Sequence, residues 1–123
     1  MAVFGDPTGA FISAWQPGAM AGFEATGPDA FVWVELNARE ADRAIAFYQA
    51  VFGWTAKSND MGVGNPPYIE FQLDGESIAG GMEMMPTVPA EVPSYWIAYF
   101  GVRDVDAAFA KAVELGHANS SPQ

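Results

Sequence analysis

The chain has no cysteine, one histidine and only five basic residues among 123. Each scarcity closes off a class of chemistry. Without cysteine there is no disulfide, no zinc–thiolate site and no thiol nucleophile, and the composition fits a reducing compartment. A single histidine, His117, removes any multi-histidine ligand set; just past a helix end it is expected to meet the helix dipole. Five bases against fifteen acids give a formal charge of −10. That is the wrong sign for phosphate-rich partners, so neither nucleic acid nor a membrane surface is expected. No apolar run approaches the roughly 18 residues of a membrane span, and the N-terminus lacks the basic-then-apolar order of a signal peptide. The expected setting is cytoplasmic.

Half of the residues are hydrophobic, and 13 glycines and 9 prolines punctuate them. This predicts one turn-rich globular domain with a modest core. Within it, two stretches echo each other at an offset of 63 residues, which carries Trp33 onto Trp96, Ala44 onto Ala107 and Gly53 onto Gly116. Each copy reads as an apolar strand, a break, and an amphipathic helix closed by glycine. Two copies suggest a domain of two similar halves; a solenoid needs at least three.

The first helix is signalled by Asn37 as a cap with Glu40 three residues on, and by a stripe of Ala41, Ala44, Ile45, Tyr48, Val51 and Phe52. Gly53 is its left-handed stop. In the second, Asp104 caps, Val105, Ala108, Phe109 and Ala112 form the stripe, and Gly116 ends it. Strand alternation assigns faces. Val32, Val34 and Leu36 oppose Trp33, Glu35 and Asn37, while Ile69, Phe71 and Leu73 oppose Tyr68, Glu70 and Gln72. The apolar set belongs under the helices. Asp74-Gly75 predicts a hairpin into a strand over 77–84, in which Gly80-Gly81 marks a bulge or a close backbone approach. Met82, Met84 and Met85 read as gap-fillers of a core or interface. At the N-terminus, Asp6-Pro7-Thr8-Gly9 is a type I turn joining residues 2–4 to 10–15, a hairpin that stands outside the two halves.

Val34-Glu35-Leu36, Phe47-Tyr48, Phe52-Gly53-Trp54, the strand over 96–100, Val102-Arg103-Asp104-Val105-Asp106 and Asp6-Pro7-Thr8-Gly9-Ala10 together resemble the vicinal-oxygen-chelate superfamily. That group comprises the glyoxalases, bleomycin-resistance proteins and extradiol dioxygenases. The resemblance implies an α+β fold of paired β-α-β-β-β modules, here in a shifted order. Residues 1–16 form the hairpin that completes the second module, 17–30 a linker, 31–85 the first module and 86–123 an incomplete second one. Such an order fits an excerpt of a tandem two-domain member or a circularly permuted single domain.

Metal-dependent members of the family place His or Glu on the first strand of each module and Glu on the strands that end them. Here those positions carry Trp33, Trp96, Ser13 and Gly80 or Gly81. No metal and no other cofactor is therefore expected. The expected site is a concave face on which Trp33, Trp96, Trp15, Phe11, Ser13 and Tyr68 flank the carboxylates of Glu35 and Glu70, suited to a planar or cationic small molecule. Two alternatives stand beside this: a divalent-metal lyase or dioxygenase, and a non-catalytic fragment with no ligand of its own. The short second half predicts a homodimer in which residues 10–15 pair beside the strand over 95–100, preferentially from the partner chain.

Overall fold

The computed structural model describes residues 1–16 and 27–116. His117 and most of the linker lie outside the described residues. Among the described residues, nine elements follow in chain order: β1 (Ala2–Gly5), β2 (Phe11–Ala14), β3 (Phe31–Ala38), α1 (Ala41–Phe52), β4 (Thr55–Asn59), β5 (Tyr68–Leu73), β6 (Glu76–Glu83), β7 (Tyr95–Phe100) and α2 (Val105–Glu114). Five strands make one sheet in the order β4-β5-β6-β3-β7, beside a two-stranded ribbon of β1 and β2. β3 runs parallel to β6 and antiparallel to β7. The stretch from β3 to β6 is thus one complete β-α-β-β-β unit, and β7 with α2 begins another. This is the α+β architecture expected of paired modules.

The core lies between the sheet and α1. Leu36, Phe71, Ala44 and Tyr48 are fully buried there, with Val34, Ile45, Phe47, Phe52, Trp54 and Trp96 packed against them. Val51 is the exception in the predicted stripe and stays 47% exposed. Gly53 takes the left-handed conformation at φ 71°, and its N–H closes on the Gln49 carbonyl at 3.0 Å. The other end of α1 departs from the expected capping box. β3 continues through Asn37 to Ala38, and the chain turns at Glu40, itself left-handed at φ 56°. The cap comes from the end of β6: the Glu83 carboxylate accepts the N–H groups of Glu40 at 3.0 Å and Ala41 at 2.9 Å. A carboxylate there also meets the positive end of the helix dipole.

α2 begins as predicted, with Asp104 accepting the Ala107 N–H at 3.0 Å. Its stripe is not buried. Val105 is 56% exposed and no residue of α2 is fully covered, because among the described residues the sheet ends at β7. Asp74 and Gly75, both at positive φ, make the predicted β5–β6 turn. The bulge falls before the glycine pair, where Phe71 faces Ala79 but Gln72 faces Ser77, leaving Ile78 extra.

The ribbon folds back onto α1. Gly9 closes the turn on the Asp6 carbonyl at 3.1 Å, and the Asp6 side chain accepts the Thr8 and Ala10 N–H groups at 2.7 and 3.2 Å. Phe4 meets the rings of Phe47 and Phe52. Among the described residues β1 and β2 form a ladder only with each other. Residues 10–15 thus form no ladder with β7 among the described residues, although β2 lies alongside β7 within the same chain.

The repeat is real but one residue longer than the matching tryptophans and glycines imply. The two first strands begin at residues 31 and 95 and the two helices at 41 and 105, a spacing of 64 in both cases. A slip of one residue moves every side chain to the opposite face of a strand.

Candidate functional site

The face of the sheet turned away from α1 is where the polar and aromatic positions gather. From edge to edge, Lys57 and Asn59 of β4 stand beside Glu70 and Tyr68 of β5; Gly80 follows, then Trp33, Glu35 and Asn37 of β3, then Tyr99 of β7. Glu35 and Glu70 are ladder partners of the same residue, Gly80, from opposite sides. Two strand spacings separate them, roughly 10 Å.

Gly80 sets the geometry between them. A Cβ there would overlap the Tyr68 hydroxyl and come within 2.8 Å of Trp33 Nε1. With only hydrogen at that position, the two rings close over β6 and Trp33 Nε1 donates to Tyr68 Oη at 2.9 Å. What approaches the glycine is thus a pair of side chains, in place of the predicted bulge or backbone. The Glu35 carboxylate sits next to this pair. Its Oε2 accepts Asn37 Nδ2 at 3.1 Å and Tyr99 Oη at 3.3 Å. Burial, together with Glu35 nearby, pushes the Tyr68 phenol up to about 12, against the opposing pull of the Trp33 N–H. Tyr99 is pushed upward by burial and by the same carboxylate. Both phenols therefore stay protonated near neutrality and act as donors.

Glu70 is held differently. Asn59 Nδ2 and Ser77 Oγ each donate to it at 3.0 Å, and Lys57 Nζ stands 3.9 Å away. The Asn59 and Ser77 hydrogen bonds hold its carboxyl below the usual range. A cleft of about 530 Å³ opens here, lined by Trp33, Asn59, Met61, Tyr68 and Glu70. That volume lies within the range of small-molecule sites.

Of the expected residues, Trp33, Tyr68 and Glu70 line this cleft, and Glu35 stands on the same face outside its lining. Trp96 does neither. It is the ladder partner of Leu36, so it shares the helix face; its Nε1 donates to the buried Tyr48 hydroxyl at 3.0 Å. The spacing of 64 explains the error: Trp33 corresponds to Ile97, and Glu35 to Tyr99. Phe11, Ser13 and Trp15 also stand apart. All three are exposed on the ribbon, and Trp15 lines a separate hollow with Met1, Ala2, Ala14 and Gln16. Strand alternation already places Asn37 on this face; Asn59, Met61 and Tyr99 are further members of the candidate site, and a repeat spacing of 64 brings out Tyr99.

The donor set does not fit a divalent ion. Among the described residues no three His, Asp or Glu side chains converge. Around Glu35 stand two phenols, an amide and an indole N–H, and the indole has no lone pair to give.

Residues 30–122 match the model of the Glyoxalase/Bleomycin resistance protein/Dioxygenase superfamily. The chain is 38% identical over 118 residues to the anthracycline biosynthesis protein DauV of Streptomyces sp. (strain C5), covering 94% of this chain and 41% of that one. It is 37% identical to DnrV of Streptomyces peucetius over 118 residues, with the same coverage. A glyoxylase-like protein, CFP32 of Mycobacterium bovis, is 37% identical over 119 residues, 94% of this chain and 43% of its own length. The chain thus spans about two-fifths of the length of the curated relatives it matches.

Proposed function

The chain belongs to the glyoxalase/bleomycin resistance protein/dioxygenase superfamily, and from that premise we propose that it is a metal-free small-molecule-binding domain. Its ligand lies on the open face of the sheet, a planar molecule that is cationic or carries a hydrogen-bond donor. Trp33 and Tyr68 offer ring faces, and Glu35 and Glu70 offer acceptors. The observation that carries this reading is the Glu35 carboxylate, pinned by Asn37 and Tyr99 beside the Trp33–Tyr68 pair. An acceptor already fixed by protein donors costs a ligand little ordering entropy. An indole face attracts a cation by roughly 0.5–2 kcal/mol.

Calorimetric titration with phenyltrimethylammonium and with phenol tests it, with elemental analysis of the same sample. Saturable binding of either probe is expected, weakened about tenfold by Glu35→Gln, the loss of one charge-assisted contact. No saturable binding of either probe overturns the reading. The glyoxylase name of the Mycobacterium bovis relative favours a second reading, catalysis, which within this superfamily would be that of a divalent-metal lyase or dioxygenase. About one metal ion per chain, lost in Glu35→Ala, would establish it in place of the first.

The reading extends to surroundings and assembly: a cytoplasmic homodimer in which residues 10–15 reach the partner's β7. Support comes from β7 itself, which has β3 as its one ladder partner among the described residues, while β2 of the same chain lies near it without pairing. Sedimentation equilibrium of the full chain decides it, a monomer at micromolar concentration being the contrary result.

A further inference from the structure

Beyond the cleft at Trp33, a second hollow of about 300 Å³ opens between β6 and the β4–β5 connection. Met61, Pro66, Tyr68, Met82 and Met85 line it, with Asn65 as its polar member. Met61 and Tyr68 line both hollows, so one molecule can extend from one into the other. Their chemistry differs sharply. The first holds the Glu70 carboxylate, whereas no charged side chain lines the second.

Met84 is 7% exposed, a buried filler of the kind the sequence predicts, and edges a separate hollow beside Arg39 and Glu83. Met82 and Met85 are half-buried and face the hollow instead. Three thioethers at one opening are polarizable and adjust to flat rings of varied outline. The wall that carries Met61 is built in advance. Gly62 N–H binds Asp60 Oδ1 at 2.9 Å, Asn65 N–H binds the Gly62 carbonyl at 3.2 Å, and Asn65 Nδ2 binds the Met61 carbonyl at 3.1 Å. Gly62 and Gly64, at φ 96° and 82°, make that tight course possible.

We infer that the ligand is a fused-ring aromatic with a hydroxyl or amino donor at one end. The donor meets the Glu35 and Glu70 side of Tyr68, and the ring system runs on between Met61, Met82 and Met85. This rests on the binding role proposed above and assigns the methionines as its specificity-determining residues.

Phenol and 2-naphthol separate the two ideas, since both carry the donor and only naphthol has the second ring. By calorimetry naphthol is expected to bind about tenfold or more tighter than phenol. Met82→Asp and Met85→Asp each bring naphthol down to the level of phenol measured in the same variant. In the protein labelled with ¹³C-methyl methionine, naphthol shifts the methyl signals of Met61, Met82 and Met85 and leaves that of Met84 in place. Equal affinities for the two probes, or naphthol-induced shifts confined to other methionines, overturn the extension while the binding role stands. If the aspartate variants misfold, Met82→Leu and Met85→Leu assign the signals and the same shift test applies. Failure of both probes to bind overturns the extension together with the role beneath it.

Discussion

The Tyr48 hydroxyl donates to Asp6 Oδ2 at 2.7 Å inside the core. The Tyr48 hydroxyl oxygen also accepts the Trp96 indole N–H, so the ribbon, α1 and β7 meet at one buried atom. Burial and the Asp6 carboxylate drive the Tyr48 phenol far above its ordinary range, and it stays a donor at every practical pH.

Removing that oxygen strands two partners. Tyr48→Phe is expected to destabilise the fold by about 1–3 kcal/mol, because the Asp6 carboxylate and the Trp96 N–H each lose a buried partner. Urea unfolding followed by tryptophan fluorescence measures it. A change within about 0.5 kcal/mol, usual for an ordinary surface position, would show that the contact is dispensable.

Asp6 also makes the ribbon sensitive to acid. Burial alone raises its pKa, but hydrogen bonds from Tyr48, Thr8 and Ala10 outweigh it and leave the carboxyl below its ordinary value. As pH falls past about 3.9 the unfolded chain takes up the proton first, so this stability is present above that value and drains away below it. Melting temperatures between pH 6 and pH 3 are expected to fall less steeply in Asp6→Asn than in the parent. Parallel slopes would leave Asp6 without a part in acid unfolding.

Gly80→Ala tests the arrangement of the open face. The added methyl cannot coexist with the Tyr68 hydroxyl in its present place, so the Trp33–Tyr68 hydrogen bond opens. Phenol affinity should drop about tenfold. Core aromatic signals from Tyr48 and Phe71 should hold, since Gly80 faces away from them. An unaltered affinity in a folded variant would show that the pair is not part of the binding surface.

Tyr68 offers a spectroscopic handle on the same contacts. Its ionisation, at about 12 in the folded chain, should move down in Glu35→Gln, where a negative neighbour is lost, and up in Trp33→Phe, where a donor is lost. Absorbance at the tyrosinate band reads both, with Tyr68→Phe to identify the signal. Shifts in the opposite sense would place the phenol in other company.

Much of the fold is legible because it is locally encoded. Gly53 stops α1, Asp104 starts α2, Asp74-Gly75 turns β5 into β6, and alternation puts Trp33, Glu35, Tyr68 and Glu70 on one face. What escapes is set by distance along the chain. Glu83 caps a helix that begins 42 residues before it, and Asp6 finds Tyr48 across the same separation. No window of sequence contains either pair. Trp96 escapes for a different reason. Matching it to Trp33 aligns two residues by type, whereas the ladder aligns backbones, and the one-residue discrepancy is enough to exchange core for surface.

β7 reads Tyr-Trp-Ile-Ala-Tyr-Phe, six residues without a charge, a proline or a glycine, and among the described residues its outer edge has no ladder partner. Such a segment is a template for stacking identical strands. The formal charge of −10 then acts as a colloidal brake, holding neighbouring molecules apart before their rims can meet. Salt shortens the reach of that repulsion from about 30 Å at 0.01 M to about 3 Å at 1 M. Self-association of this protein is accordingly expected to grow with ionic strength, which light scattering across a salt series reads directly.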